Sequence, residues 1–277
     1  MTTPHPLRHS LMVGLKAVRL ETLDDDGKLL GRATGFLVKE SDGSFLYTCW
    51  HVVTGVDFLQ PTPMSPPKRR ALIRAYCQDV QQRQPGVQAI GDAHSIDIPL
   101  YDASGQPRWL QERIEREQLD LQNIGIHLPK FHDVIRIAVN LDKIVADVVE
   151  FQKRDVFSNP TQAGTDVVVV GYPYGYSAMD VTTPEPVFLK RSIASNRTSN
   201  VGHVLLDGGA APGMSGAPVL VNHQDRWWLL GMYTGVIFPD HQHGTQGFEN
   251  DRRAALGLMA PMYITRAFMD VPGIFEQ

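Results

Sequence analysis

Ala210-Ala211-Pro212-Gly213-Met214-Ser215-Gly216-Ala217-Pro218-Val219 sets one serine between two glycines, flanked by small residues and prolines. Glycines let the backbone adopt conformations that a side chain forbids and let it approach another molecule closely. In such a turn a serine can present its hydroxyl outward, with neighbouring N–H groups aimed at whatever it attacks. Those are the requirements of an acyl-transfer nucleophile with an oxyanion hole. Taken alone, the same stretch reads equally as a Gly/Pro turn between strands. Whether the chain supplies a base and an acid to match decides between the two.

Working outward, strand signals surround this turn. Asp166 to Gly171, Val187 to Ala194, His203 to Leu206, Pro218 to Val221, Trp227 to Val236 and Leu256 to Ile264 read as strands. The turn Gly171-Tyr172-Pro173-Tyr174-Gly175-Tyr176 reads as a rigid aromatic turn beside the cleft. Nearer the N-terminus, Val13 to Glu21 alternates apolar and polar residues, and Asp24-Asp25-Asp26-Gly27 turns the chain into a second strand, Gly31 to Val38. Asp42-Gly43 supplies the positive φ of a hairpin, after which Phe45 to Trp50 runs straight into His51. Leu72 to Cys77, Ile96 to Tyr101 and Asp133 to Val139 are further strands. Gln78 to Gln88 reads as a loop or hairpin tip, Trp109 to Leu121 as a short surface helix, and Asn140 to Phe151 as helix or strand. Residues 60–71, rich in proline and ending Lys68-Arg69-Arg70, read as a solvated surface connection.

About six strands fall on each side of a connector at residues 152–165. The expected fold is therefore all-β, two tandem six-stranded antiparallel β-barrels over residues 10–151 and 166–264, with a short C-terminal helix and tail over 265–277. Thr265 is the candidate N-cap of that helix.

Composition narrows the function. The 277 residues hold 43% hydrophobic and 20% charged side chains, an ordinary globular balance. A net charge of −4 argues against nucleic acid as a partner. No run of eighteen apolar residues occurs, so no membrane span is expected. Residues 1–11 contain no apolar run fit for a signal peptide. Cys49 and Cys77 read as buried thiols, not a disulfide framework. A soluble protein of a reducing compartment, the cytoplasm, is the expectation.

A serine hydroxyl needs a neighbouring base, and that base needs a carboxylate to hold its tautomer. Of ten histidines, His51 stands apart at a strand end among apolar residues. There it is either packed neutral or paired for work.

Gly35-Phe36-Leu37-Val38 followed by Tyr47-Thr48-Cys49-Trp50-His51-Val52-Val53 resembles the first half of a trypsin-like serine protease domain. The family usually has Thr-Ala-Ala-His, and Cys49 and Trp50 replace the two small residues. Gly213-Met214-Ser215-Gly216-Ala217-Pro218 resembles its serine motif, and Leu229 to Gly235 follows where the family places a pocket-lining strand. His51 precedes Ser215 by 164 residues, in the family's order. The resemblance implies a serine endopeptidase acting on a protein or peptide substrate, with His51 as general base, Ser215 as nucleophile and an aspartate at a strand head between them. Asp133 fits that place best, with Asp120, Asp97 and Asp142 as alternatives. Its 82-residue separation from His51 exceeds the usual family spacing and implies enlarged loops.

By the same resemblance, Gly213 and Ser215 N–H groups form the oxyanion hole. Gly209, Tyr233, Thr234 and Gly235 line the specificity pocket, which has no carboxylate and favours small or apolar side chains. An alignment shifted by one or two residues would bring Asp207 near it. Relatives of this kind in bacteria are often silent until triggered, which implies an activating protein partner. The alternative from another class is a catalytically silent protease-like fold serving as a protein-binding module, motivated by Trp50 and the long interval to Asp133. No cofactor or metal is expected: His241 and His243 lie in a Gly/Pro loop without matching ligands, and Asp24 to Asp26 lack the oxygens of a calcium site.

Overall fold

The computed structural model describes residues 13–56, 68–84, 87–113, 131–141, 150–157, 162–176, 185–196, 203–237 and 255–262. Two curled β-sheets carry nearly all of them. The N-terminal sheet contains β1 (Ala17–Leu23), β2 (Leu29–Glu40), β3 (Gly43–Thr48), β4 (Leu72–Gln84), β5 (Val87–Pro99), β6 (Trp109–Arg113), β7 (Phe131–Val139) and β8 (Glu150–Gln152). The C-terminal sheet contains β9 (Asp166–Gly171), β10 (Val187–Ser192), β11 (Val204–Leu206), β12 (Pro218–His223), β13 (Arg226–Ile237) and β14 (Leu256–Pro261).

The first sheet runs β5-β4-β1-β2-β3-β7-β6, antiparallel throughout, and β8 joins β2 in parallel at Leu37 to Lys39. Among the described residues it therefore holds eight strands, counting the short β8, where six were expected. Its edges approach each other at the Asp102–Gly105 turn, where Arg108 N–H donates to the Leu100 carbonyl at 2.9 Å. The second sheet runs β10-β9-β12-β13-β14-β11, six strands as expected. Its two edges meet where Ile193 bridges Leu206 and Ala194 N–H donates to the Leu205 carbonyl at 2.7 Å.

Three local expectations change. Residues 109–113 form strand β6, not the start of a helix. Trp109 pairs with Ile137, and its ring meets Tyr101 edge-on at 5.4 Å, so tertiary partners override a charge pattern that suits a helix. The glutamine-rich segment is strand as far as Gln84, because β5 returns from Val87 and pairs with it. Strand β3 stops at Thr48, and His51 sits in a single helical turn, α1 (Trp50–Thr54). The proposed C-terminal helix, His241 and His243 lie outside the described residues.

The buried run Ala33 to Val38 on β2 has no polar face. Alternate side chains point to opposite faces of a strand, so both faces of β2 are covered here. Phe36 stacks on Tyr47 at 5.6 Å and meets Phe151 edge-on at 5.8 Å. Full burial of such a side chain is worth about 1.5–3 kcal/mol. The core around it continues into the second sheet through Val170, Tyr172, Leu229 and Met232. The two sheets thus share apolar packing, and the candidate site lies along their junction.

Candidate active site

α1 is one turn of helix, too short to be stable by itself, and it is held from outside at both ends. Its N-cap residue, Cys49, makes no side-chain cap. Asp133, on β7, supplies the cap from 82 residues away: Oδ1 accepts the His51 backbone N–H at 3.0 Å. Its other oxygen, Oδ2, lies 2.7 Å from His51 Nδ1. A carboxylate only accepts, so Nδ1 carries the proton, and in the neutral imidazole Nε2 is the accepting nitrogen. Asp133 is 2% exposed, whereas the His51 side chain is 27% exposed. The carboxylate is shielded and the imidazole reaches solvent.

At the other end of α1, Gly55 takes the left-handed conformation and donates to the His51 carbonyl at 2.9 Å. Arg70 Nη1 also reaches that carbonyl, at 3.2 Å, and bonds the Val52 carbonyl. A cation there complements the negative end of the turn. Burial pushes the Arg70 guanidinium below its ordinary value. The basic segment Lys68 to Arg70 is therefore not simply a solvated loop: Arg70 caps the histidine turn, and the Arg69 guanidinium lies 4.3 Å from the Tyr101 ring centre.

The serine loop docks on the edge of β2. Strand β3 covers β2 only from Phe36 onward, leaving Thr34 free to bind another partner. Thr34 N–H donates to the Ser215 carbonyl at 3.0 Å, and Gly216 N–H donates to the Tyr233 carbonyl at 2.8 Å. Cys49 Sγ lies 3.6 Å from that same Tyr233 carbonyl, so the serine and histidine segments converge on one point of β13. A Cβ at Gly216 would collide with the Thr34 carbonyl and the Thr48 hydroxyl, so this approach requires glycine. Ser215 Oγ makes no hydrogen bond among the described residues.

Gly213 has φ +94°, and a Cβ there would sit 2.6 Å from the Tyr172 carbonyl. The preceding Pro212 carbonyl accepts Tyr174 N–H at 2.5 Å. In a trans peptide the C=O and N–H point in opposite directions, so Gly213 N–H faces away from the aromatic turn. Among the described residues neither Gly213 N–H nor Ser215 N–H has an acceptor. Two free donors beside a serine can receive an anionic oxygen.

A cavity of about 340 Å³ adjoins Ser215, lined by Gly209, Ala210, Ala211, Pro212, Tyr174, Tyr233, Gly235, Val236 and Ala255. None of these described lining residues is charged. Of the four expected pocket residues, Gly209, Tyr233 and Gly235 line it, while Thr234 is buried and reaches the Leu258 carbonyl at 3.4 Å. The Tyr233 hydroxyl accepts Ala210 N–H at 2.7 Å, fixing the phenol against the wall. Asp207 is exposed and accepts Ser192 N–H at 2.9 Å, away from the lining.

Of the rival acids, only Asp97 lies among the described residues, and it is engaged elsewhere. Asp97 pairs with Arg74 at 2.7 Å on the surface, and Asp120 and Asp142 lie outside the described residues. Cys49, His51 and Asp133 hold potential ligand atoms within 4.8 Å of one another. However, the imidazole and carboxylate already bond each other, and burial, then the Asp133 charge, push the Cys49 thiol well up. The bonded imidazole and carboxylate read as an acid–base pair. The residues missed by sequence reasoning are Thr34 and Arg70. Their signals were a lone hydroxyl inside an apolar strand run and a basic group directly preceding β4.

The family described as the trypsin-like peptidase domain matches residues 33–232. No curated protein matches the chain by sequence. Among solved structures, a serine endoprotease from Yersinia pestis is similar in fold, with TM-score 0.52 and 11% identity, covering 98% of this chain and 67% of that one.

Proposed function

The chain belongs to the trypsin-like peptidase family, and from that premise we propose that it is a serine endopeptidase working through Ser215, His51 and Asp133. One observation carries the reading: a buried carboxylate holds both the backbone N–H and Nδ1 of His51, whose segment meets β13 at the carbonyl where the serine loop docks. Asp133 fixes the tautomer, so His51 Nε2 takes the Ser215 proton as the hydroxyl oxygen attacks the substrate carbonyl. The oxygen of the tetrahedral intermediate goes to the N–H groups of Gly213 and Ser215. His51 then protonates the departing amine, and water, activated by the same imidazole, releases the acyl group. The unbonded Ser215 hydroxyl fits a resting enzyme, in which such contacts tighten on substrate binding.

The lack of charge among the described lining residues supports a preference for small or apolar side chains next to the cleaved bond. The long interval between His51 and Asp133 that motivated a silent binding module is bridged with the contact intact, which weakens that alternative. A cytoplasmic setting, which keeps Cys49 and Cys77 reduced, and control by a protein partner remain part of the proposal.

The test is covalent labelling by a fluorophosphonate, with cleavage of a peptide library. Wild-type protein should label at Ser215 and cut after small or apolar residues, and Ser215→Ala should lose both while melting at the same temperature. Labelling that survives in Ser215→Ala, or a wild type that never labels, would sink the reading. Cleavage mainly after Lys or Arg would refute the pocket assignment alone.

A further inference from the structure

Thr34 is a hydroxyl inside an apolar strand run, 0% exposed. An unsatisfied hydroxyl there would cost about 1–3 kcal/mol. None of its polar groups is idle. Its N–H donates to the Ser215 carbonyl at 3.0 Å and its carbonyl accepts the Thr48 hydroxyl at 2.9 Å. Its Oγ1 donates to the Gly213 carbonyl at 2.8 Å and accepts Tyr172 N–H at 3.0 Å.

These bonds fall on alternate peptide groups of the serine loop. The peptide between Pro212 and Gly213 carries one free N–H, and that between Met214 and Ser215 carries the other. Thr34 binds the two peptides interleaved with them, through the Gly213 carbonyl and the Ser215 carbonyl. A peptide group is rigid, so holding its neighbours fixes the torsions that aim each free N–H. From this arrangement we infer that Thr34 is a positioning residue of the oxyanion hole, linking the loop to the aromatic turn at Tyr172 and to the strand leading to His51. It touches no substrate. The inference rests on the endopeptidase reading.

Without the hydroxyl, the Gly213 carbonyl loses its partner, and its peptide gains by turning towards water in the cleft. That turn rotates Gly213 and degrades donors needed in the transition state but not for substrate binding. Losing one donor outright costs on the order of 10²–10³ in rate, so a loosened pair should cost about 10- to 100-fold.

The experiment compares Thr34→Val with Thr34→Ser, using steady-state peptide hydrolysis and hydrogen exchange over residues 208–217. Thr34→Val should lower kcat about 10- to 100-fold with KM within about twofold, and exchange faster in that segment. Thr34→Ser, which keeps the hydroxyl, should restore kcat to within about threefold of wild type. If Thr34→Val does not fold, Thr34→Cys, with a weaker donor of similar size, is read by the same criteria. Unchanged kcat in a folded variant lacking the hydroxyl, or equal losses in the valine and serine variants, would overturn the inference. Should the wild type be inert, the endopeptidase reading fails and exchange alone judges Thr34: faster exchange in valine but not serine supports its positioning role, and equal exchange refutes it.

Discussion

Two thiols show how burial acts on single residues here. Cys77, 4% exposed, has its thiol pushed up to about 12 by burial, and Cys49 is raised by burial and then by the Asp133 charge. In the unfolded chain both ionise near the ordinary value of about 8.5. Above that pH the folded state therefore binds more protons than the unfolded one. The stability these thiols contribute is complete below about pH 8.5 and is lost as pH rises towards 12. Urea midpoints measured from pH 7 to 10.5 should fall with pH, and Cys77→Ala should flatten the slope. At pH 8 a disulfide reagent should modify neither thiol until denaturant is added; rapid stoichiometric reaction of the native protein would contradict the burial argument.

At the scale of elements, the decisive parts are short and borrow their stability. α1 spans five residues and takes its N-terminal cap from Asp133 and a C-terminal cap from Arg70. The serine loop is anchored by Met214, which is 0% exposed in the core that includes Val219, Leu230 and Tyr233. Met214 lies between the two residues whose N–H groups are proposed as oxyanion donors, and its side chain holds the loop down. Met214→Ala should destabilise the protein by about 2–5 kcal/mol, seen as a lower urea midpoint with an unchanged m-value. A cost below 1 kcal/mol would mean that the loop is held by its hydrogen bonds alone.

For the whole molecule, the shared core predicts joint folding of the two sheets. One continuous cluster contains Leu20, Phe36 and Ile135 from the first sheet with Val170, Leu220 and Met232 from the second. Backbone links add to it, including Phe157 N–H to the Leu229 carbonyl at 2.8 Å and Thr34 N–H to the Ser215 carbonyl. Separating the halves would expose apolar faces on both. Thermal unfolding should be one transition, with calorimetry and tryptophan fluorescence coincident, and residues 162–277 expressed alone should not fold cooperatively. Two resolved transitions would show that the sheets are energetically independent.

The amino-acid sequence by itself determined the all-β class and most strand positions, and it singled out His51 and Ser215 as the pair proposed to act together, since alternation, glycine placement and motif order are local signals. It could also locate the buried thiols. Only the tertiary structure decided which aspartate faces His51, that α1 and not a strand end carries it, that Arg70 caps it, and that Thr34 braces the loop. The reason is physical: each of these depends on a partner distant in the chain, 82 residues for Asp133 and 179 for Thr34 with Gly213. No local pattern encodes which buried polar groups will meet; the packing of one sheet against the other does.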